Sequence, residues 1–515
     1  MRRRDFLRAS GAAIAGAVLT NTPPAVAADV VASDPAASTL RVDPTPKFDL
    51  SPWLYMQMME PLGTTDGSVE AAWDHLRQRW RPDVVTATKE LAPTMVRWGG
   101  LFAGYYRWRE GVGPRAARQP MHNLAWGGVE TNQVGTAEFL DFCSQVGADP
   151  LMCVNFEAEG DPGWAKNPLG EVRAGDANEA ADWVRYCNDP DNRERISHGR
   201  REPMPLKVWQ LGNETSYNPK RFGRDAAIAK TIEFAKAMHG ADPSLKLVGW
   251  GDSGWAPQMV ERTGEHLFAV AFHHLYDPGR GDPKSPLREE NYHKDPAATW
   301  AALMDGHKPH AAKIAQMRQQ VGEKFSLALT ECHYTFPGRN RCDVNSAWAV
   351  GVSYARFLNL HARNGDLLKI ANLGDFCGTR WQTNVVMIPT PGGRSYLMPV
   401  GRVMALFRKH VGKQFVEVAG AADDLDVVAS RTGDTLFLHV VNTHRTASRS
   451  MAVAIAGAAA GEAKAFTIAA DPTHEVWSAE DGTFRDSERA VPAGKPIEFP
   501  AASVSAVEVR MTPAA

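Results

Sequence analysis

Short apolar runs bounded by polar or turn-forming residues recur through the first four-fifths of the chain. Candidate strands fall at 55–59, 94–98, 150–156, 207–211, 245–250, 268–274, 326–330 and 369–373. Between most of them apolar residues return at helical spacing instead. In 136–146, for example, Phe139, Phe142, Cys143 and Val146 share one face, and 177–186, 225–238, 310–321 and 346–362 read the same way. Eight strands alternating with helices predict an α/β fold, a parallel (β/α)8 TIM barrel over residues 51–411. A doubly wound open sheet is the alternative, but no G-x-G-x-x-G follows the first strand. After a helix at 396–410 the pattern changes to short strands at 415–418, 425–430, 435–441, 450–455, 463–468 and 504–511, separated by Gly, Pro, Asn and Asp. That spacing predicts an antiparallel β-sandwich over 412–515. Residues 29–50 read as a linker with one short strand at 39–42 that can pair into the sandwich. The long polar stretch 277–308 reads either as an active-site lid or as a surface excursion.

The strand ends carry the candidate chemistry. The run VWQLGNETSY ends its apolar strand at Gly212-Asn213-Glu214, and the run FSLALT ends at Glu331. Catalytic groups of such barrels sit at the C-terminal ends of strands, and two carboxyl groups there are the minimum equipment for glycoside hydrolysis. Glu60 ends the first strand, and Arg97 ends the second, just before Gly99-Gly100. Glycines let the backbone approach a ligand, and an arginine can orient a carboxylate. The plain structural reading is an Arg97–Glu60 or Arg97–Glu331 pair. On the sixth strand His274 and Tyr276 are two apart and share a face, set here toward the mouth, which turns His273 toward the helices. No Asp, Glu or Cys cluster at ligand spacing surrounds the two histidines, so neither a metal nor a cofactor is expected.

Composition narrows the class. The 515 residues include 15 Trp, and the formal net charge is −2 with no long basic run beyond the N-terminus, so neither nucleic acid nor an anionic membrane is an expected partner. Residues 1–28 form a targeting segment: Arg2-Arg3-Arg4-Asp5-Phe6-Leu7-Arg8, a weakly apolar run at 9–20, and Ala25-Val26-Ala27 as a cleavage site. The paired arginines followed by Phe-Leu look like a twin-arginine signal, which implies export to the periplasm or the exterior and no membrane association once the signal is removed. The six cysteines have no metal-type spacing; Cys143, Cys153 and Cys187 read as buried small hydrophobes, and Cys332 and Cys342 flank a loop where a disulfide can form.

One resemblance is specific. VRWGGLFAGYYRWREGVGPR, WGGVETNQVGTAEFLDFCSQVGADP and ANEAADWVRYCN, together with MMEPLG, WQLGNE, HLY and ANLGDF, resemble the matching stretches of the α-L-arabinofuranosidases of glycoside hydrolase family 51. The likeness covers roughly residues 40–440. It implies a retaining glycoside hydrolase that releases α-L-arabinofuranosyl or closely related residues from arabinose-containing glycans, without a cofactor, with a homo-oligomer among the assemblies it allows. It implies Glu214 as general acid/base, Glu331 as nucleophile and Asn213 as partner of the sugar 2-hydroxyl. Glu60 and Arg97 would bind substrate, and His274 and Tyr276 would position the nucleophile. The chain departs from the family at Trp98-Gly99-Gly100-Leu101, where a Pro and a polar residue are missing, and at Cys332-His333-Tyr334, where Trp-Asn is usual. Arg394 is the nearest residue by position to a family glutamine. These departures change the sugar-recognising shell and leave the catalytic pair. A barrel glycosidase of another specificity (β-glucosidase, β-xylosidase, endoglucanase or other furanosidase) and a silent carbohydrate-binding protein are the rival readings. Trp98, Trp126 and Trp381 are candidate stacking platforms, each read first as a packing residue.

Overall fold

The computed structural model describes residues 38–62, 68–217, 221–276, 279, 282–336, 343–379, 384–389 and 393–513. The targeting segment, the first part of the expected linker, Cys342 and Trp381 lie outside the described residues.

Eight parallel strands form one sheet: Met56–Met59, Met95–Trp98, Asp149–Val154, Val208–Leu211, Lys246–Trp250, Ala269–Tyr276, Ser326–Tyr334 and Leu368–Ala371. Each lies within a few residues of its expected run. A parallel bridge between Met56 and Asn372 joins the first strand to the end of the eighth and closes the barrel. Alternation along each strand sorts the side chains. Met56, Met95, Leu151, Val208, Val248, Ala269, Ala271, Ala328 and Ile370 fill the interior, while Val96, Trp98, Met152, Trp209, Leu247, Phe272 and Leu329 pack outward against the helices. The small side chains of Ala269, Ala271 and Ala328 fit a barrel interior already filled by methionines and branched residues.

The helices follow local signals. Ala177–Asn188 starts at Asp176, whose carboxylate accepts from the Glu179 N–H. Thr136–Val146 is capped by Glu138, which accepts from the Gly135 N–H and pairs with Arg118. Much of the expected 277–308 excursion is ordered helix. Pro296–Asp305 is capped by Asp295, and Trp300 donates its indole N–H to the Thr443 carbonyl, tying this segment to the C-terminal sheet.

That sheet has nine strands, in the order Ser487–Val491, Ala458–Ala469, Ser503–Pro513, Thr435–Asn442, Leu425–Thr432, Gln414–Ala419, Ser38–Asp49, Arg449–Ile455 and Ile497–Phe499. Ile455 pairs with Ala458, so the sheet folds back on itself around Leu40, Val42, Val416, Leu438, Met451 and Phe499. The expected linker strand at 39–42 is twelve residues long and sits inside this sheet. It runs antiparallel to Gln414–Ala419 but parallel to Arg449–Ile455, so the domain is not purely antiparallel as expected. Two strands, Ser487–Val491 and Ile497–Phe499, were not evident in the sequence pattern. The helix Trp348–Arg363 joins barrel to sheet: Asn359, Arg356 and Arg363 all donate to Asp426, and the Trp348 indole donates to the Ala502 carbonyl. No helix among the described residues is long and apolar enough to cross a membrane.

Candidate active site

The C-terminal ends of the barrel strands bring together Glu60, Arg97, Gln210, Asn213, Glu214, His273 and Glu331. Interior parity explains most of this. Met95 faces the interior, so Arg97 does too; Val208 carries Gln210 inward, and Ala269 and Ala271 carry His273. Glu331 needs a further device. Counting by twos from the inward Ala328 would turn Glu331 out. The register shifts, however, with Phe272 opposite Leu329 and His273 opposite Glu331, which leaves Thr330 as an extra residue. Thr330 and Glu331 then both reach the same histidine.

His273 is the hub. Its Nδ1 lies 3.0 Å from Glu214 Oε1 and 3.6 Å from Glu331 Oε2, and its Nε2 lies 2.9 Å from Thr330 Oγ1. Burial pushes its pKa down to about 4, so the imidazole is neutral near pH 7. One oxygen from each carboxylate and the imidazole nitrogen lie within 4.8 Å of one another.

Arg97 is fully buried and acts as a fork. It donates from Nη1 to Glu331 Oε1 at 2.9 Å, from Nε to Gln210 Oε1 at 2.8 Å, and from Nη2 to Asn213 Oδ1. Of the two pairings open to it, Arg97 therefore takes Glu331. Gln210 donates in turn to the Gly212 carbonyl at 2.8 Å, which fixes the start of the turn carrying Asn213 and Glu214. With its Oδ1 engaged by Arg97, the buried Asn213 is left with an amide Nδ2 that has no partner among the described residues.

Burial raises the Glu214 carboxyl above its ordinary value, with Arg221 and Arg97 pulling the other way. Desolvation, rather than a neighbouring anion, is thus the main cause of the upward shift. Glu60 is buried and pushed up to about 8, first by desolvation and then by the charge of Glu331. It accepts from the Phe102 N–H at 2.9 Å and the Trp126 indole at 3.1 Å. Gly100, at φ 100°, is what makes room: a Cβ there would lie 2.3 Å from the Glu60 carboxyl carbon. The glycines after Arg97 thus accommodate Glu60 and Arg97 themselves.

The sixth strand corrects one expectation. His273, not His274, faces the mouth, because the inward parity set by Ala269 and Ala271 falls on His273. His274 points behind the strand, its ring 5.0 Å from His310, and Tyr276 packs between His274 and Tyr334. Behind the same strands, potential metal-ligand atoms of His310, Cys332 and His361 also lie within 4.8 Å of one another. His310 Nε2 and His361 Nε2 share a 2.9 Å hydrogen bond. Cys332 is a buried free thiol. Arg394 is exposed and pairs with Glu480, away from the carboxylates. Trp98 is buried among Phe102, Tyr106 and Phe139 and is a packing residue. Trp126 remains 45% exposed beside Glu60 and can offer a ring face at the rim.

Sequence reasoning missed Gln210, Asp252 and Glu159. Gln210 had a signal, a lone polar residue at an inward position of an apolar strand. Asp252 accepts from the Tyr217 hydroxyl at 2.6 Å and from the His273 N–H at 3.3 Å, and pairs with Lys313. It follows Trp250 at the end of the fifth strand, a position equivalent to those that were read.

Comparisons with known proteins bear on the domain and the fold. The model of the α-L-arabinofuranosidase 1 domain matches residues 87–284. "Probable alpha-L-arabinofuranosidase C" of Aspergillus terreus is 36% identical over 235 residues, 44% of each chain. The intracellular exo-α-(1→5)-L-arabinofuranosidase of Halalkalibacterium halodurans is 32% identical over 263 residues, 46% of this chain and 48% of that one. The chain spans less than half the length of these curated relatives. The crystal structure of the Thermotoga maritima α-L-arabinofuranosidase in complex with arabinose superposes with a TM-score of 0.73, covering 92% of this chain and 100% of that one at 22% identity. The resemblance carried by the motifs is therefore borne out, and the chain is a relative of the family 51 α-L-arabinofuranosidases that shares their domain and their fold.

Proposed function

We propose that this protein is a retaining glycoside hydrolase that releases α-L-arabinofuranosyl residues from arabinose-containing glycans. The observation that carries the reading is the spacing of Glu214 and Glu331, whose nearest oxygens lie within 4.8 Å of each other. Retaining enzymes keep their carboxyl groups about 5–5.5 Å apart, whereas inverting enzymes leave about 6.5–9.5 Å for a water.

The residues divide the work. Glu331, paired with Arg97, attacks the anomeric carbon. Glu214, whose carboxyl burial raises above its ordinary value, gives its proton to the departing oxygen. His273 supports this with its neutral ring: Nδ1–H donates to one Glu214 oxygen and leaves the other for the leaving group, while Nε2 accepts from the Thr330 hydroxyl. The covalent glycosyl–enzyme removes the charge of Glu331. Glu214, now ionised, takes a proton from water, which attacks the anomeric carbon from the opposite side and frees Glu331. The Asn213 amide Nδ2, which has no partner among the described residues, is left to donate to a sugar hydroxyl. Glu60, with a pKa of about 8, is able to donate a hydrogen bond near pH 7.

The test is hydrolysis of aryl glycosides (α-L-arabinofuranoside, β-D-xyloside, β-D-glucoside, β-D-galactofuranoside) by the wild type and by Glu331→Ala, with azide added to the variant. The expected result is turnover of the α-L-arabinofuranoside, lost in the variant and restored by azide as the glycosyl azide of inverted anomeric configuration. Equal rates in the two proteins would remove Glu331 from the mechanism. Turnover of another sugar alone would replace the specificity and keep the chemistry. We propose further that residues 1–28 direct twin-arginine export; N-terminal sequencing of the protein from the exported fraction, expected to begin after Ala27, checks this.

A further inference from the structure

The turn that carries Asn213 and Glu214 is gripped from two sides by groups that the double-displacement scheme does not use. On one side is Glu159, in the loop after the third barrel strand and without any solvent exposure. Its Oε2 accepts from the Thr215 hydroxyl at 2.7 Å, and the Asn213 N–H favours the charged form of the same carboxylate. Gly212, at φ 79°, permits this contact, since a Cβ there would lie 2.9 Å from Glu159 Oε2. On the other side is Arg221, which donates from Nη1 to the Glu214 carbonyl at 3.1 Å and reaches the Asn213 carbonyl at 3.5 Å. Its guanidinium is stacked 4.2 Å from the Trp164 ring centroid and lies 3.8 Å from Asp161.

Two backbone observations say that this grip is specified rather than incidental. Glu157, Ala158 and Glu159 hold φ of 47°, 52° and 55°, a left-handed stretch of three non-glycine residues. Such conformations are uncommon for L side chains, and they persist where the surroundings over-determine them. Glu214 itself sits at φ 52°. The acid/base is therefore presented from a backbone conformation that it would not hold unaided.

We infer that Glu159 and Arg221 are positioning residues for the proton-transfer step. They clamp the Gly212–Thr215 turn so that the Glu214 carboxyl stays against His273 and faces the leaving oxygen. This rests on the function proposed above.

The test compares two α-L-arabinofuranosides with wild type and Glu159→Gln. One has a dinitrophenolate leaving group, which departs without a proton; the other has an alkyl leaving group, which needs one. General acid catalysis contributes about 10²–10⁴-fold. The variant is expected to lose about 100-fold in kcat/KM on the alkyl glycoside and less than about tenfold on the dinitrophenyl glycoside, with the KM for each little changed. The alkaline limb of its pH profile should move to lower pH, because Glu159 no longer offsets the charge of Arg221, which keeps only Asp161 as an acidic partner. Equal losses on the two substrates would overturn the inference, since a general loss of structure does not discriminate between leaving groups. Should Glu159→Gln fail to fold by circular dichroism, Arg221→Lys tests the other half of the clamp, and the same ratio of losses decides. A wild type that cleaves neither glycoside defeats the proposed function; a wild type that cleaves both, with equal losses in the variant, defeats only the clamp.

Discussion

Arg97→Lys isolates what the guanidinium does beyond carrying a charge. Lysine retains the cation and can still reach Glu331, but its ammonium cannot also serve Gln210 Oε1 and Asn213 Oδ1, which now receive separate N–H groups of the fork. Two neutral acceptors, both on residues without solvent exposure, lose their donor. A buried polar group left unsatisfied costs about 1–3 kcal/mol, so the total is about 2–6 kcal/mol. The Gln210 share falls on the folded state and should lower the urea midpoint. The Asn213 share bears on catalysis, because the bond to Arg97 fixes which end of the amide faces the sugar. That share, about 1–3 kcal/mol, corresponds to roughly a 5- to 150-fold loss of kcat/KM. A double-mutant cycle with Asn213→Ala separates this from simple disruption. If Arg97 acts through Asn213, the two substitutions should couple by about 1–3 kcal/mol in transition-state stabilisation. Additivity within about 0.5 kcal/mol would refute the reasoning, and Arg97 would then be only the counter-ion of Glu331.

Other expectations follow from the same geometry. Gly100→Ala removes no functional group, yet at φ 100° its Cβ falls 2.3 Å from the Glu60 carboxyl carbon. It should displace Glu60 from the Phe102 and Trp126 donors, lower stability by at least about 2 kcal/mol and raise KM, and a stability within about 0.5 kcal/mol of wild type would show that the cradle is loose. Stability should also fall on acidification. Burial lowers His273 and His439 to about 4 and His361 to about 3, so each contributes stability that is present above the unfolded-state value of 6.5 and is lost as pH falls through the folded value. Between pH 6.5 and pH 5 the loss is on the order of 2 kcal/mol per histidine. Glu60 at about 8 and Glu159 at about 7 act in the opposite sense, since their contribution is present below the unfolded value and lost as pH rises through the folded one. Urea unfolding at pH 5, 6.5 and 8.5 should give the highest stability in the middle. His439→Gln, far from the carboxylates and stacked on Phe407 in the wild type, should flatten the acid limb by on the order of 2 kcal/mol. An unchanged acid limb would mean that His439 is not held neutral by the fold.

The barrel was legible because each strand is a compact apolar run and each helix repeats its apolar face at a different period. The signal weakened where residues serve surfaces or edges. Ser487–Val491 pairs on one side only and reads as polar, and Ile497–Phe499 is three residues long. The strand Ser38–Asp49 was legible only at 39–42, in a segment rich in Pro and Asp, because only Leu40 and Val42 are buried along it. The 277–308 stretch looked like a loop because helix Pro296–Asp305 earns its order from the distant C-terminal sheet, through contacts such as Trp300 to Thr443.

Strand-end position and side-chain parity proved to be different kinds of information about the site. Position alone located Glu60, Arg97, Asn213, Glu214 and Glu331, because it needs only the end of an apolar run. Parity needs one residue whose direction is already known. Choosing His274 and Tyr276 as the inward pair turned the strand over, whereas the small residues Ala269 and Ala271 were the better anchors, since the crowded interior selects them. On the next strand parity fails altogether. Ala328 points inward, and only the extra residue at Thr330 brings Glu331 back to face His273. No periodicity encodes that shift; it arises from pairing with a neighbouring strand more than fifty residues away. The same holds for Glu159, whose contact with Thr215 in the turn after the fourth strand depends on three left-handed residues in a different loop. Residues proposed to perform the chemistry can thus be read from where strands end, while those proposed to aim them depend on contacts between strands.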